Sequence, residues 1–482
     1  MRLISRREAV KSVPALACAL AVPQLVVART EPAAAARAPF DFADLTARFS
    51  GELISRDSAA YETARRSENL AFDRHPLLVA KCADAEDAAR AFDFARRHGL
   101  PIAVRGGRHC QAGRSSCDDG IVIDLGRLDE VTVDPAARTI ACGAGARVWQ
   151  ANEAAARHGL ALPLGTCGDV GVSGLTLGGG IGYLMGVAGA ACDALIGADV
   201  IRADGRRLMV TDRSDPDLMW ALRGAGANFG IVTRLVYRAM RLRSVLAGTI
   251  SFPAAAARDL LGLANNLSGV LPDELSVITG VVVPPRGEPQ VTMKACWSGE
   301  AARGRDVIHN LVTRIVAPSA QTLRETTLAE FVGRDNPGGG MSCARYGLAR
   351  RPLPDRALDL LLDRTPVPAV RLVFLDPVHG AVTRVPSDAT AFPRGRTGAG
   401  AGFILLWNDG RLTPELRSWA DRAWGQLEPS MSDAYVNMLD DEGEARVREA
   451  YGANYARLQR LKRRYDPGNV LRSNQNIPPA GA

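Results

Sequence analysis

Gly165-Thr-Cys-Gly-Asp-Val-Gly-Val-Ser-Gly-Leu-Thr-Leu-Gly-Gly-Gly-Ile-Gly182 decides how this chain is read. Glycines this dense around a single cysteine make a poor helix or strand, so the backbone itself is expected to lie against something. Without a Cβ, main-chain N–H groups approach a ligand closely or take positive φ. A cofactor carrying a diphosphate fits that need. A second run, Arg105-Gly-Gly-Arg-His-Cys-Gln-Ala-Gly113, follows the apolar Leu100-Pro-Ile-Ala-Val104, which reads as a short buried strand. Together the two runs are expected to cradle one dinucleotide.

Working outward, Leu77 to Ala80 reads as a strand, Asp84 to His98 as a helix, and the strand before Arg105 completes a β-α-β-like unit. Ile121 to Leu125 is a further buried strand. Val131–Val133 and Thr139–Cys142 around Asp134-Pro135 read as a hairpin, and Ala198–Ala203 with Arg207–Val210 as another, turned at Asp204-Gly205. Val148 to His158 is a helix closed by Gly159, and Asp215 to Arg223 a helix leading into the Gly224–Gly230 loop. After about Arg241 the texture changes. Strands at Thr249–Phe252, Ser276–Thr279, Val291–Ala295, Ala369–Phe374 and Gly402–Trp407 are separated by Ala/Leu-rich helical stretches, the pattern of a sheet backed by helices.

The motifs now in view resemble a known family. Arg-Gly-Gly-Arg-His, Gly-Thr-Cys, Leu-Gly-Gly-Gly-Ile-Gly, Asn228-Phe-Gly-Ile-Val-Thr233 and the tail Tyr465-Asp-Pro-Gly-Asn469 are similar to the berberine-bridge-enzyme-like flavoprotein oxidases of the vanillyl-alcohol-oxidase superfamily. The resemblance spans nearly the whole chain after the leader and is thin between the two ends. It implies a two-lobed α+β fold: a PCMH-type FAD-binding domain over 39–240, an inserted substrate-binding domain over 241–428 with an antiparallel sheet backed by helices, and a segment over 429–482 that completes the FAD lobe. It further implies FAD joined twice, by His109 at the 8α-methyl and Cys167 at C6, with a raised flavin potential. The flavin contacts it implies are Arg105, Gly106, Gly107, Arg108, Gly168, Asp169, Val172, Ser173, Gly174, Gly178, Gly179, Gly180, Gly230, Ile231, Asn474 and Asn476. The third residue after the cysteine, Val170, faces the oxygen-access side in the family, and a small residue there goes with oxidase behaviour.

The proton acceptor is where the chain departs from that pattern. Tyr435-Val-Asn-Met438 matches the family's Tyr-x-Asn-aromatic motif except at its last place, and a thioether cannot take a proton. The role is left to Tyr435, to Tyr346 or His379 of the second lobe, or to an acidic side chain that the sequence does not place. The expected activity is hydride removal from an alcohol carbon or activated C–H of an oligosaccharide or polycyclic natural product, with O₂ reduced to H₂O₂. A dehydrogenase of the same fold with another acceptor is the alternative. A non-catalytic ligand-binding protein would have no use for His109 and Cys167, and no strict Gly-x-Gly-x-x-Gly sits between strand and helix for an NAD-dependent enzyme.

Composition sets the remaining bounds. At 482 residues the chain exceeds one core, and 47% apolar with 23% charged residues is the balance of a globular protein. The net charge of +7 comes from scattered arginines rather than a basic block interleaved with aromatics, which excludes a nucleic-acid partner. Ser5-Arg-Arg-Glu-Ala-Val-Lys11 before an apolar run broken by Pro14 and Pro23 reads as a twin-arginine export signal over 1–38, too short and broken for stable membrane insertion. Nine cysteines are too few for a disulfide scaffold. Cys110 and Cys117 either pair after export or stay reduced, and no cysteine or histidine spacing points to a metal.

Overall fold

The computed structural model describes residues 41–334, 340–363, 365–394 and 398–481. The export leader expected over 1–38 lies outside the described residues. The first lobe begins with a four-stranded sheet in the order Glu52–Ser55, Leu78–Lys81, Ile121–Asp124, Ile102–Arg105. Leu78–Lys81 and Ile102–Arg105 both run parallel to the strand between them, and the helix Ala85–Arg97 connects them, so the β-α-β unit forms as expected. That helix is fixed at its start by Asp84, whose carboxylate accepts the Asp87 N–H at 2.8 Å. Asp87 is itself fully buried and accepts from the N–H groups of Ser50, Gly51 and Ala83, tying the first strand's approach to the helix.

Both expected hairpins form, as the two edges of a five-stranded antiparallel sheet in the order Val131–Asp134, Thr139–Gly143, Ile231–Arg238, Leu195–Ile201, Arg207–Val210. The Asp-Gly turn takes its positive φ at Gly205, +86°. Inside the glycine-rich stretch, Val172–Leu177 is a short helix, which corrects the expectation of irregular backbone there. Val172 and Thr176 bury one face of it in the first lobe's core, and that burial outweighs the poor helix propensity of Gly174.

The second lobe is an eight-stranded antiparallel sheet running from Ala320–Gln321 through Val245–Phe252, Gln290–Trp297, Leu275–Val283, Val370–Pro377 and Ala399–Trp407 to Met341–Ala349, with Arg324–Thr326 added beside Val245–Phe252. Alternation along each strand gives the sheet two unlike faces. Val277, Met293, Val373 and Leu405 point to one side, where the helices Ala257–Asn265, Ala301–Val312, Asp355–Leu361 and Thr413–Leu427 cover them. Tyr346, Leu348, Ala247 and Cys296 point to the other and pack against Met185, Tyr183, Phe392 and Tyr435. That second face is the one turned toward the first lobe. Met341–Ala349 was not expected as a strand, because Met-Ser-Cys-Ala-Arg-Tyr-Gly-Leu-Ala carries no β-branched residue; it is held by pairing with Ala399–Trp407 along its whole length.

The C-terminal segment returns to the first lobe. Buried Lys462 pairs with Asp466 at 2.7 Å and donates to the carbonyls of Asn228 and Leu471, while the Ile477 N–H donates to Asn228 Oδ1 at 2.9 Å. Asn228, expected in a flavin loop, is thus the post to which the tail is tied.

Candidate active site

The two glycine runs meet backbone to backbone. A Cβ at Gly106 would lie 2.4 Å from the Ala144 carbonyl oxygen and 2.6 Å from Ser173 Oγ, and one at Gly107 would lie 2.4 Å from the Gly171 nitrogen. Only glycine allows this approach. Arg147 pins the contact, donating from Nη1 to the carbonyls of Gly107 at 2.7 Å and Asp169 at 2.5 Å. Across the seam His109 Nε2 lies 3.0 Å from Asp169 Oδ2, which brings His109 to a residue two places from Cys167. Burial pushes the half-buried Cys167 thiol up, opposed by the N–H groups of Asp169 and Val170 and by the ammonium of Lys294. Arg108 completes the bend with a φ of +63°.

The other expected flavin contacts divide. Gly174 is exposed, with no atom within 4 Å of where its Cβ would stand, so this turn of the Val172–Leu177 helix borders open space, while the Val172 N–H donates to the Ala146 carbonyl at 2.9 Å. The buried amide oxygens of Asn474 and Asn476 accept from no group among the described residues, as expected of atoms meant for a polar ligand. These features fit FAD. Arg105 is different: its guanidinium is buried on Asp124 at 2.8 Å and on the Ala64 carbonyl at 2.5 Å, so its side chain secures the fold. A Cβ at Gly178 would meet Asn437, one at Gly179 Phe392, one at Gly180 Ala191 and one at Gly230 Val200. Those glycines make room for protein, and Ile231 is buried at the head of its strand.

Of the three proton-acceptor candidates, Tyr435 has its hydroxyl occupied, accepting from the Gly180 N–H and from Asn437 Nδ2, each at 3.0 Å, and burial pushes it up to about 12. His379 is buried beside Gly186 with neither ring nitrogen hydrogen-bonded among the described residues, and burial pulls it below its usual range. Tyr346 lies across Gly400, whose Cβ would fall 1.6 Å from the Tyr346 hydroxyl. Gly400 is paired with Asp376, and the phenol lies within electrostatic reach of that carboxyl.

An acidic side chain, Asp376, also stands near these candidates. It lies on the face turned to the first lobe, accepts the Thr279 N–H at 3.1 Å, and is raised by burial to about 7. Tyr183 and Tyr346, both within its electrostatic reach, are pushed well above the usual phenol range, first by burial and then by Asp376 among the surrounding groups. Lys294, on the same face with the strand Leu275–Val283 between it and Asp376, lies within electrostatic reach of Cys167. The only signal in the sequence was polar residues at even positions of apolar strands, Lys in Val-Thr-Met-Lys-Ala and Asp in Val-Phe-Leu-Asp-Pro.

Residues 76–211 match the FAD binding domain family and residues 434–478 the berberine and berberine-like family. The chain is 30% identical over 444 residues to an FAD-linked oxidoreductase of Bacillus subtilis, covering 90% of this chain and 98% of that one. The chain belongs to the berberine-bridge-like, PCMH-type FAD-linked oxidoreductases. It is also 29% identical to (R)-6-hydroxynicotine oxidase of Paenarthrobacter nicotinovorans over 462 residues, 90% of this chain and 97% of that one. The crystal structure of the 6-hydroxy-D-nicotine oxidase from Arthrobacter nicotinovorans superimposes with a TM-score of 0.76 at 27% identity, covering 89% of this chain and 98% of that one. Physcomitrella patens BBE-like 1, at 20% identity, reaches 0.83 over 92% of this chain and 100% of that one and shows the shared fold. The cofactor of this FAD-linked oxidoreductase is FAD and its substrate a small molecule. No helix among the described residues is long and apolar enough to cross a membrane, and Cys110 and Cys117 are free thiols.

Proposed function

We propose that the chain is an oxidase that removes a hydride from an alcohol carbon or activated C–H and passes the electrons to O₂, with FAD tethered through His109 and Cys167. The observation that carries this reading is Asp376 on the sheet face turned to the first lobe, where Tyr183 lies within electrostatic reach of both Asp376 and Cys167. Bound FAD supplies the hydride acceptor, and the remaining work falls to side chains. Asp376, raised to about 7, is poised to take a substrate proton near neutrality. Tyr346 stays protonated and donates to the substrate or to Asp376, while Lys294 offers a fixed positive charge. Val170, half-buried beside Cys167, is the small residue that leaves oxygen access open.

Between the two substrate classes, the natural-product arm is better supported. The relative at 29% identity is named for a hydroxylated N-heterocycle, and the departure at Met438 removes the family's aromatic acceptor. Export of the folded holoprotein through the Arg6-Arg7 signal belongs to the same reading.

The test is anaerobic rapid mixing with 6-hydroxynicotine and with a xylo-oligosaccharide, followed by readmission of air. A carboxyl must be ionised to accept a proton, so the wild-type reduction rate should rise with pH through about 7 and then level. Asp376→Asn should lower it by about a hundred- to ten-thousand-fold and abolish the pH step, with the flavin spectrum unchanged. A variant as fast as wild type removes Asp376 from the chemistry, and reduced flavin that persists in air removes oxygen as acceptor.

A further inference from the structure

The imidazole of His109 is held against a carboxylate from the opposite glycine loop. Its Nε2 lies 3.0 Å from Asp169 Oδ2, and a carboxylate can only accept, so Nε2 carries a hydrogen, and in the neutral tautomer that this selects Nδ1 keeps its lone pair. Asp169 is fixed in turn by Arg147, whose Nη1 stands 3.7 Å from the same Oδ2 while it bonds both glycine loops. Glu68 completes the cluster. One ligand atom from each of Glu68, His109 and Asp169 lies within 4.8 Å of the others, and the Glu68 N–H donates to the Arg108 carbonyl at 3.3 Å. The His109 and Asp169 side chains are 19% and 24% exposed, so the contact is half-buried between the two glycine loops. A stapled His–Asp pair of this kind sets a tautomer and stabilises an imidazolium.

We propose that Asp169 is the positioning residue for attachment of FAD to His109, holding Nε2–H so that Nδ1 faces the 8α carbon. The proposal rests on the reading of His109 as a flavin tether. In the step, a bond forms between Nδ1 and the 8α carbon and one C–H bond of the 8α-methyl breaks, its proton passing to water. The electron pair enters the isoalloxazine ring and leaves it to O₂, giving H₂O₂. The alkylated imidazole is a cation, and the Asp169 carboxylate lies against it throughout.

The test isolates the His109 tether in a Cys167→Ala background. FAD per chain is measured by absorbance before precipitation, flavin retained in the acid pellet afterwards, and the rate of attachment followed in air. Cys167→Ala alone should retain its flavin in acid. Adding Asp169→Asn should leave FAD stoichiometry unchanged but slow attachment at least about a hundredfold, and Asp169→Glu should restore part of the rate. Attachment as fast with asparagine as with aspartate overturns the proposal, as does loss of non-covalent FAD from both Asp169 variants. Attachment that slows when EDTA is added would put a cation among the three groups and overturn it too. If Cys167→Ala alone releases its flavin, the tether reading itself falls, an outcome separate from the others.

Discussion

The glycine seam of the first lobe and the sheet face of the second that is turned toward it are the two halves of the proposed site, built in opposite ways. The seam uses residues nearly contiguous in sequence: Gly106, Gly107 and His109 on one loop, Cys167, Asp169 and Gly171 on the other. The sheet face takes single residues from separate strands, with Lys294, Tyr346 and Asp376 each flanked by neighbours facing the helical core. A close backbone approach constrains a run of residues, whereas a pleated sheet constrains only every second one. Motif-like sequence therefore marks the cofactor side, and the substrate side carries almost none.

The comparison can be broken first at Arg105, which looks like part of the cofactor motif and is placed here in the fold. Asp124→Asn removes the partner of a guanidinium whose side chain is fully buried, and should cost about 3–5 kcal/mol, read by denaturant unfolding. The protein that remains folded should bind FAD normally. An unchanged stability with weakened FAD binding would return Arg105 to the cofactor.

A smaller effect is expected at Gly178, where a Cβ would fall 1.9 Å from Asn437 Oδ1. Asn437 donates to the Leu175 carbonyl at 2.9 Å and to the Tyr435 hydroxyl, so Gly178→Ala should destabilise by about 1–3 kcal/mol through displacement of that side chain. If instead the melting temperature holds and only flavin content falls, this glycine serves the ligand.

The smallest change should come from Tyr435→Phe, because its hydroxyl already accepts two hydrogen bonds from protein. Flavin reduction should slow by less than about threefold, well below the range of a lost general base. A loss of a hundredfold or more would move the proton acceptor from the sheet face back to the tail motif.

Much of the first lobe was legible because its elements are locally determined. Asp84 starts a helix by capping it, Asp204-Gly205 turns a hairpin, and Gly159 ends a helix with a φ of +64°. The strand Met341–Ala349 was not legible, since nothing in its residues favours extension and its ladder with Ala399–Trp407 supplies the reason. Nor was the helix inside the glycine-rich stretch, formed because Val172 and Thr176 are buried by the rest of the lobe.

By itself the sequence determined the two glycine-rich loops and the departure at Met438, because each depends on residue type within a few positions, while the joint role of His109 and Cys167 came from the family resemblance. Tertiary structure alone decided which glycines face open space and which face protein, that Arg105 is bound to Asp124, and that the enclosed acid is Asp376. Burial of a carboxyl is a property of everything packed around it, and those groups come from strands far apart along the chain.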